Sequence, residues 1–371
     1  MTHARDITNS SRPCRRLLLV PPMIALALAP AYMHAGTVHA ADAIAKIRMS
    51  IDEDAMILQL AAQLGYLKQE KIEIVPVDVG NIARHDYLMQ EPLVKGEIDA
   101  AFQWFHHALF GARHGFPIQA VMMFNDAPGM TIMVANRAKE KIRSAADFRG
   151  VRVAEGAGYA TKSVITNFLV RKAGLAADSY TPVMTAVEGR QDGVLKALAE
   201  GQVEVITFRE PMTSAVQASG LVTTLYDLNS RETTAKIFGT AYPAQSLLMA
   251  PAYLGAHPQI AQRLVNAMTR TMRFINRHSA EQIAAALPPA YFEKKDRQAE
   301  IAHMKKMLPT YAKSEYAIPP AAARLVLEMV SASRFDESEE GQWRRGAAVR
   351  NIDAKTLYDN RFVMKAMAMI K

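Results

Sequence analysis

The sequence is 371 residues long and half apolar, with 44 Lys+Arg against 36 Asp+Glu and a formal net charge of +8. That length supports one large domain or two lobes of ordinary size. The basic surplus is moderate and forms no Lys/Arg stripe interleaved with aromatics, which argues against nucleic acid as a partner and favours weak steering of anionic solutes.

At the N-terminus, Arg12, Arg15 and Arg16 form a basic segment ahead of a mostly apolar run, Leu17 to Ala31, broken by Pro21, Pro22 and Pro30. The run is about 15 residues, short of the roughly 20 that span a bilayer. It reads as a cleaved export signal rather than a membrane anchor. Val38-His39-Ala40 offers small residues where a signal peptidase acts, so residues 1–40 are assigned as signal peptide, with cleavage near Ala40 and an exported mature chain. Arg15-Arg16 before three leucines matches the twin-arginine pattern only in part, which favours the general secretory route. The single cysteine, Cys14, precedes the apolar run and leaves with the signal. The mature chain is therefore expected to hold no disulfide, thiol nucleophile or Cys-based metal site.

Beyond the signal, Lys46 to Ile51 alternates polar and apolar residues as a strand does. Asp52, Glu53 and Asp54 then stand at the start of a helix whose apolar stripe is Met56, Ile57, Leu60, Ala61 and Leu64, ended by Gly65. A second strand, Ile72 to Val77, completes a βαβ unit and implies a parallel sheet. Met122-Met123-Phe124 reads as a core strand. Asn125, Asp126 and Thr131 flank the turn that follows it, within reach of a cleft. Helix–strand alternation continues to about Ser230, and the chain from His257 onward is mostly helical.

An internal repeat organises this alternation. Leu93-Val94-Lys95-Gly96-Glu97-Ile98-Asp99-Ala100 aligns with Leu198-Ala199-Glu200-Gly201-Gln202-Val203-Glu204-Val205. In both, a helix closes on a glycine and an acidic residue leads into a strand, the same junction in two similar lobes. Extending the register sets Gln103, Trp104, Phe105 and His106 against Phe208, Arg209, Glu210 and Pro211. These are C-terminal ends of parallel strands, where open α/β sheets place their ligand crevice. Trp104 and Arg209 are thus expected on opposite walls of one cleft.

Four stretches carry a family resemblance. Leu60 to Lys68 resembles an A-x-x-x-G-x-F/L-K helix end, and Leu93 to Ala100 an L-x-x-G-x-I/L-D turn. Ile142 to Val153 resembles I-x-S-x-x-D-L-K-G-K-x-V, and Leu195 to Pro211 an A-L-x-x-G-x-V-D-A…x-E-P segment. In this order they resemble the periplasmic ABC-transporter solute-binding proteins of the nitrate/taurine/sulfonate/thiamine-precursor (pyrimidine) type. The resemblance implies a periplasmic-binding-protein-like α/β fold, with two α/β lobes joined by two crossover segments and a ligand cleft between them. Lobe I would comprise 41–135 and the helical 243–371, and lobe II 136–242, with crossings near Asn136 and Pro243. It also implies a monomer that closes on a small solute and delivers it to a membrane permease and its ATPase, without catalysis or cofactor. The sequence departs from the family at Trp104-Phe105-His106-His107, where small residues are usual, and at the acidic Asp52-Glu53-Asp54.

Candidate ligand contacts follow. Gly156, Gly158, Tyr159 and Thr161 sit on a turn that opens a helix and suits an anion; an ordinary glycine turn is the alternative. Arg190 and Arg209 offer bidentate donors to an oxyanion, or else pair with Glu188 and Glu210. Trp104 and Phe105 suit a planar body or the core, Gln103 and His106 sit beside them, and Thr131 and Glu210 complete the set. Adjacent histidines without a ligand spacing make no metal site. A small organic anion, such as an aromatic carboxylate or sulfonate, is the expected solute. The alternative is a neutral or cationic pyrimidine held by Asp52, Asp54 and the aromatics. An enzyme on the same fold is the less favoured reading, because no catalytic constellation is recognisable.

Overall fold

A computed structural model describes residues 43–50, 55–79, 90–113, 115–155, 160–183, 191–333 and 352–370. Among these residues, ten strands form two five-stranded sheets. The first contains β1 (Ala45–Ser50), β2 (Ile72–Pro76), β3 (Ala100–Trp104), β4 (Gln119–Met123) and β10 (Gln245–Met249). The second contains β5 (Met130–Ala135), β6 (Arg152–Ala154), β7 (Thr181–Val183), β8 (Val205–Arg209) and β9 (Val222–Leu228). Their orders are β2-β1-β3-β10-β4 and β7-β6-β8-β5-β9. In each sheet, the first strand of the half pairs parallel with the next two. The fourth place is taken by an antiparallel strand from the other half of the chain. The two halves of the repeat therefore have one topology.

The chain leaves the first sheet after β4 and joins the second at Met130, so the crossing lies at 124–129. Met130 to Ala135, placed by the sequence reading before a crossing near Asn136, bonds instead to β8 and β9. Every residue of that strand is buried, and the polar Asn136 marks its end. The return reaches β10 beside the first crossing. Tyr242 and Ala244 donate backbone N–H groups to the carbonyls of Asp126 and Asn125, and Phe124 donates to Gln245.

Helices cover both sheets. The first, α1 (Ala55–Gln63), is followed by Gly65 at φ 73°, a conformation that glycine adopts at little cost. The 20-residue α10 (Pro258–Arg277) buries Leu264, Val265, Met268, Met272 and Ile275 and packs on α1. The C-terminal α13 (Pro320–Ala332) contacts both α4 (His106–Arg113) of the first half and α5 (Thr161–Lys172) of the second. No helix among the described residues is long and apolar enough to cross a membrane.

One ion-paired clasp recurs in both halves. Asp99 accepts from the backbone N–H of Arg48 at 2.8 Å and from its Nε at 3.1 Å, while its own N–H donates to the Arg48 carbonyl. Glu204 does the same with Arg152, at 2.9 and 3.2 Å. The acid next to last in each copy of the repeat thus fastens the first strand of its half to the strand that carries the cleft residue. Asp99 is almost fully buried and Glu204 more open. Asp99→Ala is expected to destabilise the protein by about 1–3 kcal/mol, because a backbone donor and a guanidinium lose their acceptor. Glu204→Ala should cost less, and chemical denaturation of the two variants checks the order.

The first crossing carries a second electrostatic feature. Asp126 is fully buried, 3.4 Å from Arg231, which also bridges to Glu315. Burial pushes the Asp126 carboxyl above its usual range, against the pull of Arg231. A raised folded value favours folding below the unfolded value of about 3.9, and that contribution is lost as pH rises through the folded value. Asp126→Asn is accordingly expected to raise the melting temperature by a few degrees at neutral pH. The gain should vanish on acidification towards about pH 4, as thermal unfolding across pH will read.

Candidate functional site

The two strand ends singled out by the repeat meet. Trp104, last in β3, and Arg209, last in β8, lie with the guanidinium carbon 5.6 Å from the indole centroid, within cation–π range. Both line a cavity of about 80 Å³. The crossings supply its floor: Asn125, Ala127 and Pro128 from the first, Ala244 and Gln245 beside the return. Asn125 donates to Thr310 Oγ1 at 2.8 Å, and its buried Oδ1 has no partner among the described residues.

A third wall comes from the C-terminal region, which the sequence reading did not connect to the site. Helix α12 (Arg297–Met307) starts at Asp296, whose carboxylate accepts the Ala299 N–H, a standard N-cap. Glu300, His303, Met304 and Met307 follow at helical i, i+3, i+4, i+7 spacing and all line the cavity, with Tyr291 and Tyr311. That spacing is visible in the sequence but is indistinguishable there from a stripe packed on a core. Glu300 accepts from the Tyr291 hydroxyl and sits 3.3 Å from Lys295 Nζ. Burial lowers the His303 pKa, with Glu300 and Glu210 acting against the shift and Arg209 and Lys295 with it. Its Nδ1 is buried with no partner among the described residues.

The remaining sequence candidates are placed as follows. Gln103, Phe105 and His106 are buried and do not line this cavity. The Gln103 amide oxygen instead meets His107 Nδ1 at 2.6 Å, and Phe105 belongs to the core. Glu210 accepts from the backbone N–H and hydroxyl of Ser214, in the first turn of the helix after β8. Thr131 receives Asn229 Nδ2, and both Thr131 and Glu210 line an adjoining depression beside Lys305 and Lys306. Thr161 is buried at the start of α5. Asp52, Asp54, Gly156, Gly158, Tyr159 and Arg190 lie outside the described residues. Lys162, not singled out from the sequence, holds its ammonium 4.9 Å above the Phe208 ring, with its pKa lowered by burial. No group of three or more His, Cys, Asp or Glu able to hold a metal ion occurs among the described residues.

Chemically, the cavity joins a guanidinium, an imidazole, a carboxylate and two amides to an indole, two phenols and two thioethers of α12. Such a set can hold an acidic group at one end and an apolar body at the other.

The NMT1/THI5-like family model matches residues 52–282. The periplasmic aliphatic sulphonate-binding protein SsuA from Escherichia coli aligns at a TM-score of 0.61 and 18% identity, over 85% of this chain and 92% of its own. A periplasmic nitrate-binding protein, NrtA from Synechocystis PCC 6803, aligns at 0.58 and 11%, over 89% and 90%. The desulfurization enzyme DSZB shares the fold at 0.53 and 14%, over 88% and 99%. At these identities the likeness establishes a periplasmic-binding-protein fold, two mixed sheets with flanking helices. No curated protein sequence matches the chain significantly.

Proposed function

The chain belongs to the NMT1/THI5-like family, and from that premise we propose that it is the exported binding component of an ABC importer, which captures a small organic anion between Trp104 and Arg209. The observation that carries the reading is the guanidinium poised 5.6 Å over the indole at the mouth of two equivalent strands. The guanidinium offers paired donors to a sulfonate or carboxylate. Trp104, the tyrosines and the thioethers of Met304 and Met307 cover its apolar remainder. The names of the similar structures support an acidic solute, since they describe sulfonate- and nitrate-binding proteins.

In this reading the two sheets are the cores of two lobes, the crossings at 124–129 and before Gln245 act as hinges, and ligand favours the closed arrangement because it touches both strand ends. Residues 1–40 serve as the export signal, the protein works as a periplasmic monomer, and a membrane permease with its ATPase receives the solute. Lys162 adds positive charge behind the second strand end. Glu300 favours a second reading, a neutral or cationic pyrimidine, because its carboxylate lies in the same cavity.

A thermal-shift screen of alkyl and aryl sulfonates, aromatic carboxylates, nitrate and pyrimidines separates the readings, because a ligand of the folded state raises the melting temperature. At least one sulfonate or carboxylate is expected to do so, and Arg209→Ala should weaken its binding about a hundredfold. Stabilisation by a pyrimidine and by no anion would overturn the arginine's role.

A further inference from the structure

We propose that His303 of α12 is a ligand-binding residue of this cavity and makes anion capture tighten as the medium is acidified, an inference that rests on the anion-binding reading above. His303 lies beyond the residues that the family model matches, and neither strand end carries it. It nevertheless lines the same small cavity as Arg209, Trp104 and Asn125.

The surrounding charges define its role. On its own helix, Glu300 is engaged by Tyr291 and Lys295. From the end of β8, Glu210 is engaged by Ser214. Arg209 from β8 and Lys295 ahead of α12 are cations. Both carboxylates near the imidazole are thus committed to other donors, while its buried Nδ1 has no partner among the described residues. Burial, helped by Arg209 and Lys295, outweighs the opposing pull of Glu300 and Glu210, so the imidazole stays largely neutral in the empty cavity at neutral pH. An anion held by Arg209 adds negative charge to that of the two carboxylates, offsets the cations and favours the imidazolium. Proton and anion then bind cooperatively, and each raises the affinity for the other by the same factor. As pH falls through the His303 value of the empty protein, that protein is already protonated and the affinity levels off.

A sulfonate is the right probe, because its own charge does not change across this range, so any pH dependence belongs to the protein. Benzenesulfonate binding to the exported form of the full chain is measured by calorimetry at about pH 8 and about pH 5.5, and near neutrality in two buffers of different ionisation heat. The expected result is about tenfold tighter binding at the lower pH, with net proton uptake on binding. His303→Gln, and His303→Asn as a second variant, should bind more weakly than the parent at the lower pH and lose both the rise and the uptake. Their melting temperatures confirm folding. A rise that persists in both variants, or parent binding that ignores pH, overturns the role of His303 and leaves the anion-binding reading standing. Failure of every sulfonate and carboxylate to bind at either pH overturns that reading and this inference together.

Discussion

Each sheet is completed by a strand that arrives from the other half of the chain, and the geometry of the site follows from that exchange. β5 supplies the fourth place of the second sheet and β10 the fourth place of the first. The two connecting segments must therefore run side by side. Their backbone hydrogen bonds, from Tyr242 to Asp126 and from Ala244 to Asn125, set the distance between the sheets at the point where the strand ends emerge. Trp104 and Arg209 face each other because the segments that join the sheets also form the floor between them. A single crossing would leave that relation to side-chain packing alone. Two lashed crossings fix it through backbone groups that must be satisfied wherever they are buried.

Much of this frame was legible in the sequence, for identifiable reasons. The repeat that contains Asp99 and Glu204 was readable because a glycine closing a helix and an acid opening a strand answer local backbone requirements, and local requirements leave local signatures. The pairing of Trp104 with Arg209 followed from register. The first crossing was placed too late, since Met130 to Ala135 is a uniformly buried strand, and hydrophobicity alone does not tell which sheet receives it. Phe105 and His106 share the sequence neighbourhood of Trp104, but they turn into the interior, a choice made by the packing of α4 and beyond a local reading. The contribution of α12 was hidden for the opposite reason. Glu300, His303, Met304 and Met307 form an ordinary helical stripe, and only the tertiary fold shows that it meets a cavity.

The cavity is accordingly built from three sources with different constraints. The strand ends and crossings belong to the repeated frame and fall within the family match, where change disturbs a sheet. The helical wall lies outside both copies of the repeat. Its acid Glu300 is held by Tyr291 and Lys295 and not by a sheet residue. Charge on that wall can therefore vary while the frame keeps its shape.

The paired clasps make the frame mechanically symmetric. Arg48 with Asp99 and Arg152 with Glu204 make the same bonds at the same topological place, although the acids differ by a methylene. Each half therefore closes its own sheet with its own acid, by the same rule and independently of the other. The strand ends follow no such rule. One strand ends on an indole and the other on a guanidinium, so a cavity with two chemically different sides stands on a mechanically symmetric frame.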